Sequence, residues 1–457
     1  MSKINSDWFF KFETENKLFE IKDENGFPVW DIVRYHLYYK ILNKHTAIEL
    51  NKGKPLIANV KRKHQYVKTF FKVVRNDFRV FLSSYRTSRF FCYLNSRNLI
   101  NGEFVDQNQI DALYCLDLTQ SVAIECLDRF DSYRKHGLFR EMFGLPVLLL
   151  KISRGRHFFD FTPIMSLIES EFGRQDFDES TLLSYYKSFY GEYNFYKWFF
   201  KKKKIAGVFL TLNCLQKGMM AACRELSIPL FEFQHAVVNR ELMTYSYPCG
   251  ELSDNVIVPN VMFSFSPHWF KNFSYPNEID IVPVGNNYFY GTRFVHQDNK
   301  SIVVISNYRD GQLLKNFLLD CLKDEFWSNF TFYFKLHPEQ FYQHDYFVDV
   351  FKAYNNVKVI TNSMNVPQLV KECASMFLIQ STSTYEALQR GAKVYLYKRI
   401  DYYQQCDVFE EPNVYIIDNP EDFKKVILNK YVETGKDFFA PFNAKLFVDT
   451  VNKYVNS

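Results

Sequence analysis

Three short segments carry side chains whose types and spacing suit chemistry. Lys335-Leu336-His337-Pro338-Glu339 closes the run FTFYFKL (330–336), which reads as a strand. A cation and an imidazole leaving the carboxyl end of a strand in an open α/β sheet stand where ligands bind, and a phosphate suits both. A His that only packs at a strand end is the simpler alternative. Further on, SMFLIQ (375–380) runs into Gln380-Ser381-Thr382-Ser383-Thr384, which brings hydroxyls and backbone N–H groups to the start of a helix, where an anion is favoured. A Ser/Thr cap with Glu386 as its capping-box partner would explain one hydroxyl, but not three. The third segment is Phe231-Glu232-Phe233-Gln234-His235. Strand alternation puts Glu232 and Gln234 on one face, with His235 opening the next loop. Glu232 there is a candidate nucleophile or general base, and His235 an alternative base because imidazole titrates near neutrality. The competing expectation is a structural ion pair between Glu232 and a nearby Lys or Arg.

Other residues give weaker signals. The loop Ser306–Gln312 contains Arg309, a further phosphate candidate, but lacks GxGxxG, which argues against a dinucleotide cofactor. Asp117, ending IDALYCLDL (110–118), joins Gln234 as a candidate for the acceptor side of a cleft. Asp176-Phe177-Asp178 matches a metal-binding DxD pattern, yet it lies in SEFGRQDFDES just before a helix and reads as a solvated cap. Trp30, Asp31 and Arg34 share a helix face, either as a partner surface or as an internal Asp–Arg pair.

KLHPE together with QSTSTYEALQRGAKVYLY resembles the HP and Ser/Thr motifs of bacterial GT-B glycosyltransferases that use CMP-activated sugars, and also those of CDP-glycerol glycerophosphotransferases. The resemblance implies that His337, Ser381, Thr382 and Ser383 bind the cytidine nucleotide's phosphate, with Lys335 and Glu339 beside them. The segment around Glu232-Phe233-Gln234-His235 is similar to the "QH" segment of Kdo-transferases, which implies an acidic nucleophile at Glu232; Ala236 stands where Gly is frequent. The implied activity is transfer of Kdo or a related ulosonic acid from a CMP donor to a glycan or lipid-linked acceptor in capsule or lipopolysaccharide synthesis. No metal or other cofactor is expected, since the CMP leaving group carries one phosphate. The alternatives are a CDP-glycerol-type phosphotransferase and, from another class, a non-catalytic scaffold of a capsule-assembly complex.

The elements that must position these residues are most legible in the last third. SIVVIS (301–306), FTFYFKL (330–336), NVKVIT (356–361), SMFLIQ (375–380), AKVYLYK (392–398) and NVYIID (413–418) alternate with helical stretches, which predicts a doubly wound parallel sheet. Pro367 is expected at the first position of one helix and Gly391 just past the end of another. A second α/β block is expected from IDALYCLDL (110–118), LPVLLLKI (145–152), IAGVFLTL (205–212), PLFEFQ (229–234), DNVIV (254–258) and IDIVPVG (279–285). The expected architecture is α/β of GT-B type: a helical basic region over 1–100, a Rossmann-like acceptor domain over 101–290, and a Rossmann-like donor domain over 291–457 whose last helix returns toward the first domain.

Composition sets the outer limits. A chain of 457 residues with 47 % hydrophobic residues, 16 Gly and 15 Pro is globular rather than fibrous or disordered. Aromatics make up 18 % of it, enough for thick cores or for surfaces that meet lipid or carbohydrate. A net charge of +5 does not argue for nucleic acid as a partner. Residues 51–90 nevertheless hold eleven Lys or Arg against one acid, Asp77, in an amphipathic pattern that fits an anionic membrane surface or a solvated basic helix. Nine scattered cysteines, no signal peptide and no long apolar run lead to the expectation of a cytoplasmic protein, peripheral at the inner face of the membrane.

Overall fold

A computed structural model describes residues 6–45, 90–94, 112, 115–116, 122–126, 137–139, 158–211, 213–248, 252–271, 274–291, 300–307, 310–399 and 402–457. The first sheet contains β1 (Phe90–Leu94), β2 (Val122–Cys126), β3 (Gly137–Phe139), β4 (Gly207–Leu210), β5 (Leu230–Phe233), β6 (Val261–Phe263) and β7 (Asp280–Val282). All are parallel, in the order β3-β2-β1-β4-β5-β6-β7. The second contains β8 (Ser301–Ile305), β9 (Thr331–Lys335), β10 (Val357–Ile360), β11 (Ser375–Leu378), β12 (Lys393–Tyr397) and β13 (Val414–Ile417). These are also parallel, in the order β10-β9-β8-β11-β12-β13. Both orders start from a central strand, run outward, then reverse, which is the doubly wound Rossmann topology, extended by one strand in the first sheet. The chain is thus α/β with two Rossmann-like domains, as the GT-B expectation required.

All six strands expected after residue 300 form. The first block departs further from expectation. Ala112 and Cys115, within 110–118, have helical geometry rather than strand, and 254–258 forms a short turn, Ser253–Asn255, followed by loop. The strand adopted there is β6, three residues flanked by Asn260 and Ser264 and too short to show a pattern. β1 lies inside the 1–100 stretch and pairs with both β2 and β4 at the centre of the sheet. Residues 51–89, Asp117, 145–152 and Arg309 lie outside the described residues.

The core follows from strand alternation in sheets covered on both faces. In β5, Leu230 belongs to a large cluster built with helices α1 (Ser6–Glu15) and α2 (Val29–His45) and the long helix Glu179–Lys203, whereas Phe231 and Phe233 point to the opposite face. That second face is an aromatic stack: Phe209 lies 4.9 Å from Phe231, and Phe263 lies 4.8 Å from Phe447. Phe447 is on the final helix, Ala444–Val455, which therefore packs on the first sheet. Many aromatics are thus committed to the core, and the long helix starts from an Asp178 cap, whose side chain accepts from Thr181 N at 3.1 Å. Asp178 is a cap here, as its context implied.

The strap before the final helix crosses back along the first domain, with Ala440 N donating to Phe265 O at 2.9 Å and Asn286 N to Ala440 O at 2.8 Å. Gly285 makes that crossing possible. Its φ is +82°, and a Cβ there would sit 2.1 Å from the Pro441 carbonyl oxygen. Gly285→Ala is expected to cost at least about 1–3 kcal/mol, read as a lowered melting temperature. Gly435→Ala, with nothing within 4 Å of the added carbon, is the control and should change little.

Candidate functional site

Ligands in doubly wound sheets bind beyond the carboxyl ends of the strands, at the point where strand order reverses. In the second sheet that point lies between β8 and β11. The loops leaving these strands begin at Ser306 and at Ile379, so the Ser381–Ser383 turn stands at the reversal itself. Lys335 and His337 leave β9, one strand away.

The hydroxyl turn leads into the helix Ser383–Gln389, and Ser381 Oγ accepts from Ser383 N at 3.2 Å and lies 3.2 Å from Ser383 Oγ. Thr382 holds the N-cap position without a side-chain cap bond, so the capping box with Glu386 does not form. A capping box forms instead at Asn365 and Gln368, where Pro367 takes the second helical position rather than the first. Gly391 has φ +88° just past the helix end, as expected.

Around β9 the side chains divide their tasks. The Lys335 ammonium is buried and donates to the Thr361 carbonyl, and burial pulls its pKa down to about 8. The His337 ring is exposed, while its backbone N donates to Gln340 Oε1 at 3.3 Å. The same oxygen accepts from Ser306 Oγ at 2.8 Å, so Gln340 ties the loop after β8 to the loop after β9. Glu339 follows in the short helix Pro338–Gln343. Sequence reasoning passed over Gln340, because nothing distinguishes a bridging amide from a solvated one before the loops are folded.

In the first domain Glu232 lies near the carboxyl end of β5, paired with Leu210 of β4. It is fully buried on the face covered by the helices. Asn213, just beyond β4, donates its N–H to Oε1 at 3.2 Å and its Nδ2 to Oε2 at 2.9 Å, and the Tyr245 hydroxyl donates to Oε1 at 3.2 Å. Burial raises the carboxyl to about 7, while these bonds and the positive charge of Lys217 pull it back down. The expected ion pair is not what holds Glu232, since its three donors are neutral groups. Gln234 is spent on structure: its Oε1 accepts from Phe265 N at 2.9 Å and its Nε2 donates to Ala236 O at 3.0 Å. His235 opens the following loop, half-buried.

The Trp30, Asp31 and Arg34 face is neither a partner surface nor an internal pair, because all three side chains are buried. Asp31 instead pairs with Lys217 at 2.9 Å, and Arg34 with Glu13 at 2.5 Å. Glu13 and Lys217 belong to other helices, which is why spacing within α2 alone misassigned the partners. Among the described residues no group of three His, Cys, Asp or Glu is arranged to hold a metal, and no helix is long and apolar enough to cross a membrane.

No protein-family model matches the chain, and no curated protein matches its sequence. Solved structures similar to it include the UDP-GlcNAc 2-epimerase of Methanocaldococcus jannaschii in complex with UDP-GlcNAc and UDP, at 12 % identity and TM-score 0.46, over 80 % of this chain and 99 % of that one. The Neisseria meningitidis UDP-GlcNAc 2-epimerase bound to UDP-GlcNAc gives the same identity, TM-score and coverages. MurG of Acinetobacter baumannii is similar at 11 % identity and TM-score 0.41, over 80 % and 95 % of the two chains.

Proposed function

We propose that this protein is a glycosyltransferase that takes a sugar, Kdo or a related ulosonic acid, from a CMP-activated donor and passes it to a glycan or lipid-linked acceptor of a surface polysaccharide. The observation that carries the reading is the Ser381–Ser383 turn at the strand-order reversal of the second sheet, with the exposed His337 one strand away. Hydroxyls and an imidazole at that position suit a phosphate. Glu232 supplies the nucleophile or base from the first domain, with His235 beside it in the chain. A carboxyl poised near neutrality changes protonation state easily at working pH, which is what that role needs. In this reading the enzyme is cytoplasmic and its basic stretch 51–90 holds it at the anionic inner face of the membrane, near the acceptor.

A thermal-shift titration with CMP, CDP, UDP, GDP and ADP tests the donor, because a ligand bound only by the native state raises stability by RT ln(1 + [L]/Kd). A shift confined to cytidine nucleotides is expected. In His337→Ala it should fall by the equivalent of about tenfold in affinity, the loss of roughly one charge-assisted contact. Cytidine binding followed by transfer from CDP-glycerol but not from any CMP-sugar would identify the phosphotransferase instead. A response to UDP or GDP alone would overturn the cytidine assignment, and no response to any nucleotide would overturn the enzyme reading in favour of a scaffold.

A further inference from the structure

We propose that Asp407 is a positioning residue that fixes the Ser381–Ser383 turn against the first domain, a role whose functional meaning rests on assigning that turn to the donor phosphate. Asp407 lies near the end of the short helix Tyr402–Val408, which follows β12, the strand beside β11. Its carboxylate is shared between the domains. From the second domain the Tyr385 hydroxyl donates to Oδ1 at 2.7 Å. From the first, Asn239 Nδ2 donates to the same oxygen at 3.1 Å and to the Gln404 carbonyl at 2.6 Å. His268 Nε2, also of the first domain, lies 3.7 Å from Oδ2.

The position of Tyr385 gives this bridge its consequence. It sits in the first turn of the helix that begins at Ser383, so the hydroxyl turn cannot shift without carrying the Tyr385 ring. That ring lies 4.7 Å from Trp269 of the first domain and 5.5 Å from Phe438 of the returning strap. The aromatic contacts hold over a range of ring separations of about 4.5–7 Å, whereas a carboxylate accepting from both sides fixes distance and angle. Asn239 lies in the loop that leaves β5, the strand carrying Glu232. One carboxylate thus sets the placement of the candidate phosphate turn relative to the loop that follows the candidate catalytic carboxyl.

The test compares Asp407→Ala, Asn239→Ala and Tyr385→Phe with Asp407→Asn, which keeps an acceptor oxygen. Small-angle X-ray scattering of each free protein reports domain separation, and calorimetry with CMP reports the site. The alanine variants are expected to show a larger radius of gyration than wild type and roughly tenfold weaker CMP binding, the scale of one lost charge-assisted hydrogen bond. Asp407→Asn should restore both readouts most of the way. A folded Asp407→Ala with wild-type dimensions and wild-type CMP affinity would overturn the proposal. If Asp407→Ala does not fold, Asn239→Ala, which keeps the Asp407 carboxylate and removes its cross-domain donor together with the acceptor of Glu241 N at 3.0 Å, decides by the same two readouts. Should wild type bind no CMP, the phosphate assignment fails on its own, and the scattering comparison still decides whether Asp407 sets the domain placement.

Discussion

Glu232→Gln is expected to lower turnover by at least about 10²–10⁴-fold, the scale for losing a positioned proton-transfer group, while nucleotide binding stays close to wild type. The substitution is nearly isosteric, and a half-turn of the Asn213 side chain would present its oxygen to the new amide, so the local hydrogen bonds survive. The pH dependence of stability gives an independent check. The folded carboxyl titrates at about 7, above its ordinary value of 4.5. Between these values the folded protein keeps a proton that the unfolded chain has released, so stability falls as pH rises through the window. Below about 4.5 both states are protonated and the difference vanishes; above about 7 the full cost applies, on the order of 3 kcal/mol at 1.36 kcal/mol per pKa unit. Glu232→Gln removes this loss, so urea melts should show the variant gaining on wild type from pH 5 to pH 8. A nucleophile or base works ionised, so kcat/KM of the wild type should rise with an apparent pKa near 7. A variant with near-normal rate would end the catalytic assignment, and one whose stability tracks wild type at every pH would end the burial argument behind it.

The second sheet was legible in the sequence because each of its strands is a run of apolar residues between turn and helix signals, and β8 to β13 form where those runs lie. The first sheet was legible only in part. β6 has three residues, and β1 follows a basic stretch whose composition dominates its surroundings. Site residues divide in the same way. Ser381–Ser383 and His337 stand at strand ends because local order alone puts them there. The partners of Asp31, Arg34 and Glu232 were illegible, because Lys217, Glu13, Asn213 and Tyr245 reach them across tertiary contacts that no spacing rule encodes. Asp407 shows the same limit most sharply: an Asp in a short turn carries no mark of the two domains it joins.

Lys217→Met is expected to destabilise the protein by about 3–5 kcal/mol, the cost of leaving one member of a buried ion pair without its partner. Lys217 donates to Asp31 Oδ2 at 2.9 Å and to the Ile257 carbonyl at 2.7 Å, and the same Asp31 oxygen accepts from Ile257 N at 2.8 Å. Side-chain exposures of 7 % and 2 % leave little water to replace the ammonium. Burial opposes the lysine's charge, but the Asp31 carboxylate and the neighbouring Tyr247 and Cys214 together outweigh it, so the amine is held protonated above its ordinary range. Against a typical total stability of about 5–15 kcal/mol the loss is severe. The double variant Lys217→Met, Asp31→Asn removes both charges and should recover more than half of it, since the penalty comes chiefly from the orphaned carboxylate. The same ammonium helps to lower the pKa of Glu232. In the double variant the pH limb of kcat/KM should therefore move upward, which joins the stability of the helical layer to the candidate catalytic carboxyl. Urea melts and pH–rate profiles of the three proteins check this together. A double variant as unstable as the single one would mean that packing of the lysine stem, and not its charge, carries the contact.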